Sequence, residues 1–354
     1  TKELKEYYYK KHVSFIKINP NLPIAEIDLN NYNVIYNSSA DIKNTLTNCG
    51  YKRLANNLYF EAKLPRYNAF VDLKSFNVHS LEKNTKNKIN PVTLDNNSKF
   101  DKLESLHTLI EKVAQEKISD FYKLMCLKKD HDEFYYKDFY TVFDKNATID
   151  LFLVSIDYEA FLENSQYCYN VELEKNNKLN NKLSHNNQEK VINAKMSSDK
   201  SLLTYKNDIM EATKGISENK SDYLAGALVI RHGNVASIIF SSYDKEYKRF
   251  APNYFLHYNL IKYYQDNFDY LDLNGVVGNF NSRNNPYAGL NRFKLGFKPR
   301  VYEFIGEYDL VIEQKRYKMK KCFNNLEHFY FVTFFLVFLL LKYLIIFDLF
   351  DKQY

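Results

Sequence analysis

The period of apolar positions changes twice along this chain, and the changes divide it. Residues 1–12 read as the end of an amphipathic helix. VSFIKINP, residues 13–20, then alternates with period two, which predicts a strand stopped by Pro20. Residues 41–48 predict a short helix ending near Gly50, and NLYFEAKLPRYNAFVDLKSF holds two strand-like runs split by Pro65. Between Phe100 and Lys117, the residues Leu103, Leu106, Leu109, Ile110 and Val113 recur at helical spacing and predict an amphipathic helix. IDLFLVSID, residues 149–157, predicts a strand.

From Glu159 to about Lys220 the texture is different. There is no Pro and only one Gly, Gly215, while Asn, Lys, Glu and Ser dominate. With NNKLSHNNQEK as a turn, the segment predicts an antiparallel helical hairpin. Its apolar seam is thin: Tyr169, Leu173, Leu183, Met196, Leu203, Ile209 and Ile216. The alternative is a disordered polar insert. β-rich texture then returns in YLAGALVIRHG and NVASIIFSS, a helix in PNYFLHYNLIKYYQDN, a strand in DYLDLNGV, and a final strand in VYEFIGEYDLVI. Short strands flanking single helices, with a helical arm inserted, predict an α/β fold with mixed sheets.

Length and composition narrow the picture modestly. A chain of 354 residues, 45% hydrophobic and 26% charged, is globular, with a length suited to about two domains. The net charge of +6 accommodates an anionic partner, but a chain rich in Lys, Asn, Tyr and Ile and without Trp also reflects AT-rich coding. Cys49, Cys126, Cys168 and Cys322 include no C-x-x-C pair, so we expect reduced, buried thiols. Eight histidines without H-E-x-x-H or H-x-x-x-H spacing make a metal site unexpected.

Candidate chemistry concentrates near YAGLNRFKLGF, residues 287–297. Lys294 stands there between aromatics, in what reads as a tight loop-to-strand junction. It is either a solvated loop lysine or a cation held for an anionic substrate or a developing oxyanion. Asp272 in DYLDLNGV is a carboxylate among apolar neighbours at a strand end; it suits orienting or deprotonating an amine, or capping the following turn. No Ser-His-Asp or Cys-His arrangement is present.

The block from Ala225, AGALVIRHGNVASIIFSSYDKEYKRFAPNYFLHYNLIKYYQDNFDYLDLNGVVG, followed by YAGLNRFKLGFKPRVYEFIGEYDL, resembles the Fem (FemABX-type) family. These are ligases that build peptidoglycan interpeptide bridges from aminoacyl-tRNA. The likeness rests on a Gly-Ala opening strand, the basic pair before APNY, the Asp-containing strand closing on NGV, and GL-x-x-FK-x-GF running into E-x-IGE-x-DL. Upstream, KKHVSFIKINP and LPRYNAFVDL resemble the family too. The family places a longer stretch before the Lys-Lys-His helix end, so we expect the first subdomain to be incomplete. Family members also often carry an Arg a turn before the paired aromatics matching Tyr135-Tyr136, where this chain has His131 and Asp132.

The resemblance implies two acetyltransferase-like (GNAT-like) subdomains and a coiled-coil arm. The expected division is 1–64 (incomplete first subdomain), 65–158 and 223–313 (second subdomain), 159–222 (arm) and 314–354 (basic segment and apolar tail). It also implies transfer of an amino acid from tRNA, as co-substrate, to the stem-peptide amine of UDP-MurNAc-peptide or lipid II, with no cofactor and no metal. Lys294 would be the catalytic cation, with Asp272 beside it, and Phe293 would pack against substrate. Tyr243, Tyr247, Lys248, Asn253 and Arg300 are the further substrate-binding candidates, with weaker ones at Arg249 and Lys298. The lysines of the arm suit a tRNA backbone or a plain solvated face. Two other readings stand: a non-catalytic tRNA-binding homologue, and an acyl-CoA-dependent N-acyltransferase. The latter lacks its [Q/R]-x-x-G-x-[G/A] pyrophosphate loop here.

The tail is separate from the family pattern. Residues 329–347 give a 19-residue apolar stretch interrupted only by Lys342, near the roughly 20 residues that span a bilayer. KRYKMKK just upstream places positive charge on the cytoplasmic side, so we expect a cytoplasmic body attached to the inner face of the membrane. A buried or interfacial helix, or a frameshifted ending, are the alternatives.

Overall fold

The computed structural model describes residues 1–37, 39–53, 65–89, 108–126, 131–184, 188–280 and 285–323. In chain order the early elements are α1 (Lys2–Lys10), β1 (Phe15–Ile18), β2 (Pro23–Ile27), β3 (Val34–Asn37), α2 (Ser39–Asn48), β4 (Tyr51–Arg53) and β5 (Tyr67–Asp72). Then come α3 (Lys83–Ile89), β6 (Thr108–Val113), α4 (Ile118–Met125), α5 (Glu133–Asp144), β7 (Ile149–Ile156), α6 (Tyr158–Leu183) and α7 (Glu189–Ser217). The last are β8 (Tyr223–His232), β9 (Val235–Tyr243), α8 (Pro252–Tyr264), β10 (Tyr270–Val276), α9 (Ala288–Leu295), β11 (Arg300–Phe304), β12 (Tyr308–Val311) and α10 (Gln314–Phe323). This is the mixed α/β order with an inserted helical arm that the sequence predicts.

The chain forms two compact units. The first gathers Thr1–Glu82, Arg231–Ile238 and the chain from Tyr263 onward; the second holds Lys83–Ile230 and Ile239–Lys262.

In the first unit a mixed sheet runs in the order β3-β2-β11-β5-β10-β9. Its pairs are antiparallel except β10 with β9, which is parallel. Strand period two gives this sheet two unlike faces. Ala69, Val71, Val301, Leu271, Leu273 and Ala236 are all buried on one. The other carries Glu26, Arg300, Tyr302, Asn68, Phe70, Asp272 and Ser237, placed there by register. A separate three-stranded sheet has the order β1-β12-β4. VYEFIGEYDLVI is therefore two strands in two sheets and not one. Gly306, at φ 81, makes the break in a left-handed conformation that favours glycine.

In the second unit β6, β7 and β8 run antiparallel in that order. Phe240 of β9 packs edge-on to Tyr136 and Phe139 of α5, with ring centroids 5.3 and 5.2 Å apart. The helix expected over 100–117 is corrected here: Thr108–Val113 is a strand with six register pairs to β7. Pairing with a buried partner overrides the local 3.6-residue spacing. Leu103 and Leu106 lie outside the described residues.

The arm is the predicted hairpin, but its seam differs from the expected one. Its buried residues include Ser165, Asn176, Ser198, Ala212 and Gly215, whereas Leu203 is 61% and Met210 63% exposed. Small residues let the helices approach. A Cβ on Gly215 would come within 2.3 Å of the Tyr158 ring. Asn176 Nδ2 donates to Ser198 Oγ (3.0 Å) and Asp199 Oδ1 (2.8 Å), a polar layer in the middle of the hairpin.

The thiol expectation is corrected as well: Cys49 and Cys126 are free and exposed, and Cys168 is free and half-buried. Neither forms part of a core, because both fall at helix ends. Among the described residues no helix is long and apolar enough to cross a membrane. The apolar tail at 329–347 lies outside them.

Candidate active site

The site is built around the end of β10. Asp272 pairs with Phe70 of β5, and Gly275 with Asn68, so Leu273 and Asn274 interrupt the register as a β-bulge. Asn274 adopts φ 66, a conformation asparagine tolerates better than most residues. The bulge is pinned locally: Asp272 Oδ1 accepts from Asn274 N at 2.7 Å, and Asn274 Oδ1 accepts from Gly275 N at 2.8 Å. Asp272 thus uses one oxygen for the turn-capping role open to it from the sequence. Its other oxygen, Oδ2, lies 3.5 Å from Ser237 Oγ on the neighbouring parallel strand. Bulges of this kind re-aim side chains beside active sites.

Lys294 lies on α9, not in a loop. Asn285 prepares the helix start: its Oδ1 accepts from Tyr287 N (2.9 Å) and its Nδ2 donates to Asn279 O (3.0 Å). Asn291 then bonds the main chain of Val277 twice, accepting from N at 2.9 Å and donating to O at 2.7 Å. One turn later, Lys294 Nζ donates to the carbonyl of Gly275 at 2.6 Å. The ammonium is half-buried and sits in the last turn of its helix, where the helix dipole favours a cation. Phe293 packs edge-on to the fully buried Phe297, with centroids 5.6 Å apart.

The structure therefore brings Lys294 and Asp272 to one short stretch of β10, with Phe293 beside Lys294. Arg300 is two strands away on β11. It forms a bidentate pair with Glu26 (Nε to Oε1 2.9 Å, Nη2 to Oε2 2.8 Å) and lies over the Tyr302 ring. The bonds to Glu26 hold its pKa above the usual arginine value. Lys298 pairs with Glu82 at 3.4 Å.

The remaining candidates belong to the second unit. Tyr158 at the start of α6 and Tyr247 both donate to Asp222 Oδ2, at 2.6 and 3.2 Å. Burial, then the Asp222 carboxylate, push both phenols up, Tyr247 to about 12. Arg249 pairs with Asp208 and Glu211 of α7 and lies over the Phe250 ring. This loop is fastened to the root of the arm. Lys248 is exposed, Tyr243 is half-buried on β9, and Asn253 is half-buried in the first turn of α8.

Sequence reasoning missed Asn291, Asn285, Asn274, Asn68 and Ser237. In a chain this rich in asparagine no spacing marks them; only NGV hinted at the bulge. Among the described residues no group of three or more His, Cys, Asp or Glu side chains is arranged to hold a metal ion.

A model of the FemAB family matches residues 1–325. The chain belongs to the FemAB family. Curated relatives include the lipid II:glycine glycyltransferase of Staphylococcus epidermidis, 25% identical over 222 residues, or 60% of this chain and 52% of that protein. The protein of the same name from Staphylococcus aureus is 23% identical over 252 residues, 68% of this chain and 59% of its own. The chain spans about half the length of the curated relatives it matches. Among solved structures, the crystal structure of FemX aligns over 90% of this chain and 77% of its own, with a TM-score of 0.60 and 19% identity. That likeness shows a shared fold. FemAB membership bears out the resemblance drawn from the block after Ala225, and covers the elements that carry Lys294 and Asp272.

Proposed function

We propose that this chain transfers an aminoacyl group to an amine of a peptidoglycan precursor, with aminoacyl-tRNA as donor. The observation that carries the reading is Lys294 Nζ held on Gly275 O at 2.6 Å, at the strand end that also bears buried Asp272. An aminoacyl ester is already activated, so the protein has three tasks. It must bring the amine to the carbonyl, receive its proton and stabilise the oxyanion. As the C–N bond forms, the ester C–O bond breaks and the ribose hydroxyl leaves. Positioning lowers such a barrier by roughly 7–11 kcal/mol. In this reading Lys294 faces the oxyanion, Asp272 orients the amine or takes its proton, and Phe293 lines the substrate.

The relatives' name supports a lipid-linked acceptor, and the soluble UDP-MurNAc-peptide is the alternative. The arm is read as the tRNA contact. Lys178, Lys182, Lys190, Lys200 and Lys206 are exposed along it, and phosphate contacts of this kind weaken with salt. The apolar tail, read from its composition, would hold the protein at the inner leaflet.

The test is incubation of radiolabelled aminoacyl-tRNA with lipid II and, separately, with UDP-MurNAc-pentapeptide. Label should enter one acceptor. Lys294→Met should reduce transfer about 10²-fold or more, the scale for removing one oxyanion stabiliser. Transfer at wild-type rates by that variant refutes the assignment of Lys294.

A further inference from the structure

The polar face of the first unit's sheet carries a group that the proposed chemistry does not use. Asn68, on β5, is 3% exposed, and its Oδ1 has no hydrogen-bond partner among the described residues. Buried polar atoms are nearly always paired, and an unpaired one destabilises the fold. Register fixes what surrounds it. Asn68 pairs with Gly275 on one side and Tyr302 on the other. Phe70, two residues on and on the same face, pairs with Asp272. Asn68 and Asp272 are thus diagonal neighbours across β5 and β10, within reach of one small group.

The inventory at this place is weighted toward acceptors. Asn68 offers an amide oxygen, and Asp272 a buried carboxylate, which accepts only when ionised. The cations on the adjoining residues are engaged: Arg300 with Glu26, and Lys294 with the carbonyl of Gly275. A ligand completing this arrangement supplies donors and positive charge. A primary amine, arriving as ammonium, supplies three N–H groups.

We propose that Asn68 and Asp272 form a seat for a primary amine, with Asn68 Oδ1 accepting one N–H. The proposal rests on the aminoacyl-transfer reading and deepens it. That reaction involves two such amines, the acceptor's nucleophile and the α-amine of the aminoacyl group being transferred. The chemistry of the seat is the same for either.

Asn68→Leu keeps the shape and removes the acceptor. In the full chain, calorimetry would compare binding of lipid II and of aminoacyl-tRNA, each with its amine free and N-acetylated. Thermal unfolding and the KM for each substrate complete the set. We expect wild type to prefer one free-amine substrate over its acetylated form, and Asn68→Leu to lose that preference. Its KM for the same substrate should rise about 10- to 100-fold, the scale for a hydrogen bond to a charged group. Its melting temperature should equal or exceed that of wild type, because an unpaired buried acceptor is gone. An effect confined to lipid II supports the nucleophile as occupant, and one confined to aminoacyl-tRNA supports the α-amine. A folded Asn68→Leu that keeps both the preference and both KM values overturns the proposal. Asn68→Ala, judged on the same readouts, serves if the leucine variant does not fold. Wild type that prefers a free amine but transfers nothing retains the seat and refutes the transfer reading. Wild type that transfers without any such preference does the reverse.

Discussion

Asn291 holds α9 to the sheet by itself at two points, because its amide satisfies both the N–H and the C=O of Val277. All three groups are buried. Asn291→Ala leaves a buried donor and a buried acceptor unpaired, which should lower stability by about 2–4 kcal/mol in urea unfolding. Lys294 is one turn further along the same helix, so its hold on Gly275 should loosen and kcat should fall more than KM. Equal stability and equal kcat in this variant would show that α9 is held by other contacts. The resemblance pointed to Lys294, and the local sequence to Asp272. Asn291 and Asn68 were not legible, since what distinguishes them is the partner across the fold, or its absence.

The arm draws its stability from its root and from a polar layer. Tyr158 and Phe161 at its entry are buried, as are Ala212 and Gly215 at its exit, and Asp208 and Glu211 pair with Arg249. Replacing 168–206 with a short Gly linker keeps all of these and should leave a folded protein with weakened, less salt-dependent tRNA binding. Removing 159–220 takes them away and should unfold the second unit, as read by circular dichroism on heating. A fully stable long deletion would show the root to be dispensable. At the same root, Tyr247 has its pKa raised to about 12 by burial and by Asp222. The folded state holds this proton more tightly than the unfolded chain, whose phenol titrates near 10. The contribution is therefore complete below pH 10 and is lost as pH rises toward 12. The stability gap between wild type and Tyr247→Phe should be flat up to pH 10 and shrink above it. A gap that stays constant to pH 12 would place the phenol elsewhere.

The first unit is closed by residues from both ends of the described chain. β1 pairs with β12, and Lys17 Nζ contacts Asp309 Oδ1 at 2.9 Å and Glu307 Oε2 at 3.1 Å. Glu307 is 0% exposed, and Asp309 also accepts from Tyr317 at 2.7 Å. Lys17→Met leaves two buried carboxylates without their cation. Breaking a buried pair in this way typically costs about 3–5 kcal/mol, which denaturant unfolding should register. A loss below about 1 kcal/mol, the range of an exposed pair, would mean the site admits water.

The sequence by itself determined the elements whose signal is local. The arm followed from a long polar helical texture without Pro, β7 through β10 from short apolar runs, and α8 from its period. It also determined family membership, through the block that holds Lys294 and Asp272. Only the tertiary structure decided which strand each apolar run would join. Thr108–Val113 has helical spacing yet lies along β7, and one alternating run is divided between two sheets. The arm's seam was decided in the same way, by how closely Gly215, Ala212 and Ser198 let two helices approach. The physical reason is common to these cases. Periodicity states which side of an element is apolar, whereas hydrogen-bonded register and burial depend on residues hundreds of positions away, as Lys17 and Asp309 are.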